Sequence, residues 1–300
     1  MPAQQYDSEP GPQLTVADTR ITILTRTARW DRGDVDIRDA VDFWSFAGAA
    51  ANVIMQMARP EVGYGVAESR VPSGSLMVHP WKRARTTTQY LAVAILGTDE
   101  ERAAYRAAVD VAHRQVQSTE TSPVRYNAFN RELQLWVAAC LFVGFEDTHQ
   151  LLHGAMSAEQ AEQFYQSAKP LGTTLQVTAD QWPPTRAAFD DYWNTACGRV
   201  VIDEPIRDYL MALIDLKMIN WPLRVTFAPL LRFLTIGSLA PVFRDAMGLQ
   251  WSAADRRRFE NLFVFVAFVN RFIPRFIRHG GSHLLLGDVR RRIRGKKALI

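Results

Sequence analysis

Residues 97–113 read GTDEERAAYRAAVDVAH, and this stretch decides the fold class. Thr98 can cap a helix, because a threonine hydroxyl accepts hydrogen bonds from the free backbone N–H groups of the first turn. Three acidic residues, 99–101, follow it directly and complement the positive end of the helix dipole. The stretch therefore predicts a helix that continues to about Gln117.

The helix predicted from Thr98 has an apolar face. Three- and four-residue spacing places on it Tyr105, Val109, Ala112, His113 and Val116. A histidine on such a face is either a core histidine bonded to a carbonyl group or a neutral imidazole that binds the iron of a haem. Its position alone favours the core histidine.

The helical pattern extends to both sides of this stretch. The preceding helix runs from about Arg83 to Leu96 and stops at Gly97, a residue that suits a left-handed cap position. Further predicted helices occupy Val41–Met57, Arg131–Phe145, Ser157–Ala168, Thr185–Ala196, Pro205–Leu216, Phe227–Leu234 and Ala253–Ile273. A long irregular loop is predicted by a cluster of glycines and prolines: Gly63, Gly65, Pro72, Gly74 and Pro80.

We expect an all-α protein with one large domain. The 300 residues suffice for a sizeable core, and 48% hydrophobic with 22% charged residues is typical of globular chains. No internal repeat and no linker divides the sequence. The expected organisation is an N-terminal arm at 1–38, a helical domain at 39–278 and a basic C-terminal tail at 279–300.

The cysteines and the N-terminus indicate the compartment. Cys140 and Cys197 lie in apolar, helix-like surroundings, which favours free buried thiols in a reducing compartment. The polar start, residues 1–12, lacks the features of a signal peptide, and no apolar run is long enough to span a membrane. We therefore expect a soluble, cytoplasmic protein.

The formal net charge of +4 hides a strong asymmetry along the chain. From Arg271 onward there are nine Lys or Arg residues and one acid, Asp288. Such a basic tail either forms a solvated end or makes peripheral contact with an anionic membrane surface. Binding to nucleic acid is not expected, because no recognised binding motif accompanies the charge.

Arg83 and Thr87 lie four residues apart and share one face of their helix. Beside a pocket, an arginine can pair with a haem propionate or polarise bound oxygen, and a threonine hydroxyl can donate a hydrogen bond. Taken alone, such a pair is typical of a solvated helix start.

Together these residues form an ordered set: Arg83, Thr87 four residues later, Gly97 at the helix end and His113 thirty residues after the arginine. This set resembles the signature of the MpaB-type oxygenase family, which also contains the rubber oxygenases, or latex clearing proteins. Further pieces agree in order over about residues 40–255, among them Tyr126-Asn-Ala, Leu135-Trp136, Trp182-Pro183 and Gly248-Leu249-Gln-Trp251.

The resemblance implies an all-α, partly globin-like domain that binds haem b. His113 would be the proximal iron ligand, Arg83 and Thr87 would lie near the haem, and Tyr126 and Trp136 would either line its pocket or pack in the core. The implied enzyme is a haem-dependent oxygenase that uses dioxygen on an apolar, isoprenoid or lipid-like substrate, with oxidative cleavage of a C=C bond. Alternatives are a non-catalytic haem- or lipid-binding protein and a haem peroxygenase or tailoring oxidase.

The sequence departs from the rubber oxygenases in two places. Those enzymes place a lysine just before the threonine as a distal iron ligand, whereas this chain has Thr86. They also use an upstream glutamate as a base, and Glu68 is the nearest acid at a comparable spacing. The distal side should therefore differ from that of the rubber oxygenases.

One competing metal site is suggested by His149 and His153. They lie four residues apart on a predicted helix, with Glu146 three residues before the first. That spacing can hold a transition metal, but the glutamate that follows the first histidine in the zincin pattern is absent. The alternative is a partly exposed helix end.

Overall fold

The computed structural model of the chain describes residues 14–22, 35–69, 71 and 76–300. Helices form the regular structure of these ranges, which contain no strand and one isolated bridge, between Gln117 and Asn127. The all-α prediction is therefore confirmed. The expected N-terminal arm, residues 1–38, lies largely outside the described residues.

The elements follow one another as a series of helices of uneven length. Two 3₁₀ helices, Ile37–Ala40 and Phe43–Gly48, lie between α1 and α2. The α-helices are α1 (Val16–Thr19), α2 (Ala49–Met57), α3 (Pro60–Ala67), α4 (Pro80–Leu96), α5 (Asp99–His113), α6 (Arg131–His153), α7 (Ala158–Ser167), α8 (Pro170–Thr173), α9 (Arg186–Cys197), α10 (Glu204–Ile214), α11 (Trp221–Gly237), α12 (Pro241–Met247), α13 (Ala253–Asn270), α14 (Arg275–Arg278) and α15 (Gly280–Arg294).

The predicted start of α5 is confirmed, but its end is not. The Thr98 hydroxyl accepts from the Glu101 N–H at 3.3 Å, and the Glu101 carboxylate accepts from the Thr98 N–H at 2.9 Å. The helix ends at His113 rather than near Gln117. Beyond it the backbone pairs with a later segment instead, because the Ser118 N–H donates to the Tyr126 carbonyl at 2.8 Å.

Gly97 ends α4 as predicted, but not in the left-handed conformation. Its φ is −73° and its ψ is 163°, so the backbone is extended there. Glycine is needed for space, because a Cβ at this position would lie 2.5 Å from the Val93 carbonyl oxygen. The missing side chain lets the chain turn tightly from α4 into α5.

The prediction of an irregular loop from the glycines and prolines at 63–80 is wrong up to Ala67, where α3 ends. Gly63 and Gly65 lie inside α3, where they allow close packing rather than a turn. A Cβ on Gly63 would lie 3.2 Å from Ile206 of α10, and one on Gly65 would lie 3.4 Å from the Tyr126 ring. Pro72 and Gly74 lie outside the described residues.

The core surrounds α6, which is buried along nearly its whole length. The Trp136 ring stacks on Trp193 of α9 with 5.2 Å between ring centroids, and Phe142 packs edge-on against Phe189 at 4.7 Å. A helix that is apolar on all sides is stable only in the centre of a helical assembly. Helices α2, α8 and α13 and both 3₁₀ helices pack directly on α6.

Buried ion pairs attach the N-terminal segment to α6. Arg20 pairs with Glu146 and with Asp147 (2.6 Å), and Arg186 of α9 binds Glu146 through two nitrogens at 2.9 and 3.0 Å. Burial raises the pKa of Glu146, but the two guanidinium groups outweigh it and hold that pKa below its ordinary value.

The C-terminal basic segment is largely helical and packs on the domain. The Gln89 side chain of α4 donates to the Asp288 carboxylate of α15 at 2.7 Å. Arg290 pairs with Glu101 at 2.6 Å. These contacts bring the C-terminal residues to α4, and Ile300 reaches the cavity described below.

The contact between α11 and α13 gives a test of the packing. A methyl group added at Gly237 would overlap the buried Phe259 ring. Gly237→Ala is predicted to lower the free energy of unfolding by about 1–3 kcal/mol in urea titrations, the usual cost of overpacking. Gly287→Ala is the matched control, because a Cβ there meets nothing within 4 Å; it should leave stability unchanged or raise it. Equal midpoints for the two variants would contradict this packing.

Candidate functional site

A cavity of about 260 Å³ is lined by residues of α3, α4, α5 and α6. This volume is close to the lower end of the range for pockets that bind small ligands. Most of the lining is apolar: Val62, Val66, Val109, Ala112, Val116, Leu133, Val137, Leu141, Leu175 and Ile300. The few polar groups on this apolar wall therefore define its chemistry.

His113 lines the cavity at the end of α5 and is held from behind by a side-chain relay. Its Nδ1 lies 3.1 Å from Oε1 of Gln176, and Nε2 of Gln176 donates to the carboxylate of Asp110. Gln176 comes from the segment between α8 and α9, and Asp110 lies one helical turn before His113. In the described part of the chain, the imidazole of His113 makes no hydrogen bond besides the one at Nδ1.

The relay fixes the tautomer of His113. A carboxylate only accepts hydrogen bonds, so the amide NH₂ of Gln176 must face Asp110 and its carbonyl oxygen must face the imidazole. The histidine then donates through Nδ1–H and keeps a lone pair on Nε2. Burial lowers the pKa of His113, the bond to Gln176 partly counters this, and nearby Arg83 lowers the pKa further. The imidazole is therefore neutral near pH 7.

Arg83 places a cation in the same cavity. Within the described ranges, no carboxylate lies at ion-pair distance from its guanidinium. Burial lowers the pKa of Arg83, and the phenol groups of Tyr209 and Tyr105 offset this only in part. A half-buried guanidinium with such neighbours favours an anionic or electron-rich ligand in the cavity.

Thr86 and Thr87 both line the cavity next to Arg83. Thr86 is buried, and its hydroxyl donates to the Arg83 carbonyl at 3.1 Å, a bond within the helix. The Thr87 side chain is exposed and makes no such bond in the described structure. Thr87 is thus the threonine whose hydroxyl is available to a ligand.

The structure places Glu68 outside this cavity. Its Oε2 accepts from the hydroxyls of Ser122 (2.7 Å) and Tyr126 (2.9 Å), and it lines a smaller polar pocket behind Tyr126. The carboxylate that lines the main cavity is Glu61 of α3, which has one buried oxygen, Oε2, without a hydrogen-bond partner among the described residues. Its other oxygen lies 3.7 Å from Arg59.

The two candidate aromatic residues have different positions. Tyr126 is buried, lines the cavity and connects it to Glu68 through its hydroxyl. Trp136 is not among the lining residues: it stacks on Trp193, and its indole N–H donates to the Gln56 carbonyl at 3.0 Å. Of the two alternatives for Trp136, the structure shows core packing.

Residues 38–269 match the family model described as "ER-bound oxygenase mpaB/B'/Rubber oxygenase, catalytic domain". The chain belongs to this family. It therefore carries an oxygenase catalytic domain, and the resemblance seen in the ordered set Arg83, Thr87, Gly97 and His113 is confirmed. The matched range contains every residue of the relay and most of the cavity lining, with Ile300 outside it.

Two curated relatives of this mpaB/rubber oxygenase domain are uncharacterized proteins, Mb2261 of Mycobacterium bovis and Rv2237 of Mycobacterium tuberculosis. Each is 51% identical over 251 residues, which covers 84% of this chain and 98% of the relative. No solved structure matches the chain. The relatives extend the family across these organisms without adding a substrate.

His149 and His153 lie on the side of α6 that carries the buried ion pairs. Their rings are 4.6 Å apart, but Glu146 is bound to Arg20 and Arg186. No group of three or more metal-ligating side chains that could hold an ion occurs in the described part of the chain. The third ligand suggested by the sequence is therefore engaged elsewhere.

Three residues of the site were not predicted from the sequence: Gln176, Asp110 and Glu61. Asp110 could have been found, because an acid one turn before a functional histidine lies on the same side of the helix. Glu61 lies four residues before Gly65, so both share the cavity face of α3. Gln176 lies 63 residues beyond His113, and only the folded chain brings the two together.

The relay can be tested in the ligand-free protein. Gln176→Leu removes the acceptor for Nδ1–H, so the imidazole proton should be shared between the two nitrogens. Wild type should show only the Nδ1–H tautomer in ¹⁵N chemical shifts at about pH 8, where histidine is neutral. Gln115→Leu is the control, since Gln115 is exposed. An unchanged tautomer in Gln176→Leu would refute the relay.

Proposed function

We propose that the protein is a haem b-dependent oxygenase that uses dioxygen to cleave a C=C bond in an apolar, isoprenoid or lipid-like substrate. The observation that carries this proposal is the juxtaposition of the neutral imidazole of His113 and the cation of Arg83 in one apolar cavity. The domain's membership of an oxygenase family supports it.

The residues present fit a haem in their donor chemistry. A proximal histidine must be neutral, must offer one nitrogen to iron and is usually held through the other nitrogen. His113 meets these requirements, because Nδ1 is engaged with Gln176 and Nε2 has no partner in the described ranges. Haem also carries two propionate groups. Arg83 supplies a cation for them, since no carboxylate lies at ion-pair distance from it in the described ranges.

The haem, when bound, supplies the iron that activates dioxygen. His113 would hold that iron through Nε2, with Gln176 and Asp110 fixing the plane of the ring. Arg83 would bind a propionate or donate hydrogen bonds to an oxygen ligand, and the Thr87 hydroxyl would support it. The apolar lining would hold a hydrocarbon chain and exclude water from the reacting bond.

Cleavage of a C=C bond by one dioxygen molecule gives two carbonyl groups, with one oxygen atom in each. Both oxygen atoms and all electrons are thereby accounted for, so the reaction needs no external reductant. Glu61 is better placed than Glu68 to accept or hold a proton during the reaction, because it lines the cavity while Glu68 binds Ser122 and Tyr126 outside it. We therefore assign any proton transfer at the cavity to Glu61.

Thr86 distinguishes this cavity from that of the rubber oxygenases. A lysine at this position serves as a distal iron ligand in those enzymes, whereas Thr86 is short and bonded to its own helix. We therefore propose that the residue at this position would not bind the iron, so that no side chain has to be displaced there before dioxygen is used.

The haem assignment predicts a coloured protein. Wild type, purified or titrated with hemin, should show a Soret band, because His113 binds the iron. His113→Ala should weaken hemin binding at least about tenfold and change the spectrum, in keeping with the loss of one metal ligand. His283→Ala, on the exposed side of α15, is the control and should behave as wild type. A colourless wild-type protein that does not bind added hemin would contradict the proposal.

The reaction is tested with labelled oxygen. The hemin-loaded protein, ¹⁸O₂ and an unsaturated isoprenoid hydrocarbon are incubated without any reductant. The expected products are aldehydes or ketones that together carry both labelled atoms, and Arg83→Gln should reduce their yield at least about tenfold. Arg257→Gln, at an exposed arginine of α13, is the control. Product formation only with an added electron donor would favour the tailoring oxidase instead, and product formation only with added hydrogen peroxide would favour the peroxygenase.

A further inference from the structure

The protein carries an exposed apolar surface that the cavity does not use. We call it the aromatic surface and define it by Phe46 of the second 3₁₀ helix, Trp221 and Phe227 of α11, Phe268 of α13, Phe272 just beyond α13 and Phe276 of α14. The exposed fractions of these side chains range from 45% for Phe46 to 76% for Phe276. Such a concentration of exposed aromatic rings marks an interaction site rather than ordinary surface.

The three parts of the aromatic surface are neighbours in the fold. The second 3₁₀ helix packs on α11, and the Trp44 indole of that 3₁₀ helix donates to Asn270 at the end of α13 at 3.1 Å. Helix α11 also packs on α13, with 6.1 Å between the ring centroids of Phe233 and Phe259. The elements that carry the exposed rings are therefore side by side, and the Phe268 and Phe272 rings themselves lie 5.3 Å apart between centroids.

The segments that carry the aromatic surface are basic in sequence. Residues 216–244 contain four Lys or Arg residues and no acid, and residues 261–287 contain three Arg residues and no acid. Arg232, Arg275 and Arg278 pair with Asp215, Asp39 and Asp42. Of the other cations, Lys217 and Arg271 are exposed, and Arg271 lies beside Phe272. Aromatic side chains flanked by arginine suit the boundary of an anionic bilayer, where rings enter the headgroup region and guanidinium groups meet lipid phosphates.

A second copy of the chain is a poorer occupant of this surface, because a symmetric contact would bring the same cations face to face. No described helix has the length and apolar character to cross a bilayer. We propose that the aromatic surface docks the protein peripherally on an anionic lipid bilayer. This proposal does not depend on the haem.

The test is co-sedimentation of the full chain with phosphatidylcholine vesicles and with vesicles that also contain phosphatidylglycerol. Binding is expected to the anionic vesicles and should weaken with salt. The variant Trp221→Ser/Phe272→Ser should bind at least about tenfold more weakly, because two aromatic rings can no longer enter the headgroup region of the bilayer. Arg271→Gln should weaken binding to the anionic vesicles only.

Trp81→Ser is the matched control. Trp81 is 73% exposed and lies beside a proline in the first turn of α4, as Trp221 (67% exposed) does in α11. Circular dichroism establishes that each variant is folded. The proposal is overturned if wild type binds neither kind of vesicle, if the double variant binds as wild type does, or if Trp81→Ser is equally impaired. A dimer in solution that Trp221→Ser/Phe272→Ser dissociates would also overturn it and assign the surface to a second copy.

Discussion

A guanidinium group in an apolar cavity, without a carboxylate among the described residues to neutralise it, is the constraint on which the site depends. Arg83 lies half-buried on α4, and the groups that interact with it most are the phenols of Tyr209 and Tyr105. A buried cation without a partner is unfavourable, and its cost is relieved when an anion enters. The same cation helps to keep the neighbouring His113 neutral. Both features support the proposed ligand, which combines a metal centre with negative charge.

Backbone geometry brings the two groups together. Gly97 leaves room beside the Val93 carbonyl, and Thr98 caps α5 immediately afterwards, so α4 and α5 fold back on one another over a very short connection. Arg83 near the start of α4 and His113 at the end of α5 consequently face one space. Helices α3 and α6 form further walls, and the burial of α6 along most of its length holds its wall in place.

Local signals in the sequence were sufficient for most of the longer helices, although not for α3 or α15. Caps and apolar periodicity identify α5, whereas Arg83, Thr87 and His113 were singled out by the resemblance of their ordered set to the oxygenase family. Close packing was not visible in the same way: Gly63 and Gly97 looked like turn or cap residues, whereas a neighbouring carbonyl oxygen leaves little room for a Cβ at either position. Gln176 was not predictable either, because its role arises from a tertiary contact. Trp136 and Glu68 resembled site residues by order along the chain, yet the fold directs one into the core and the other behind Tyr126.

The most direct test of the account is a crystal structure of the hemin-loaded protein. It should show iron bound to Nε2 of His113, Nδ1 still donating to Gln176, and a propionate or an oxygen ligand on Arg83. Iron bound to another histidine, such as His153 or His279, with the cavity between α4 and α5 empty, would contradict the account.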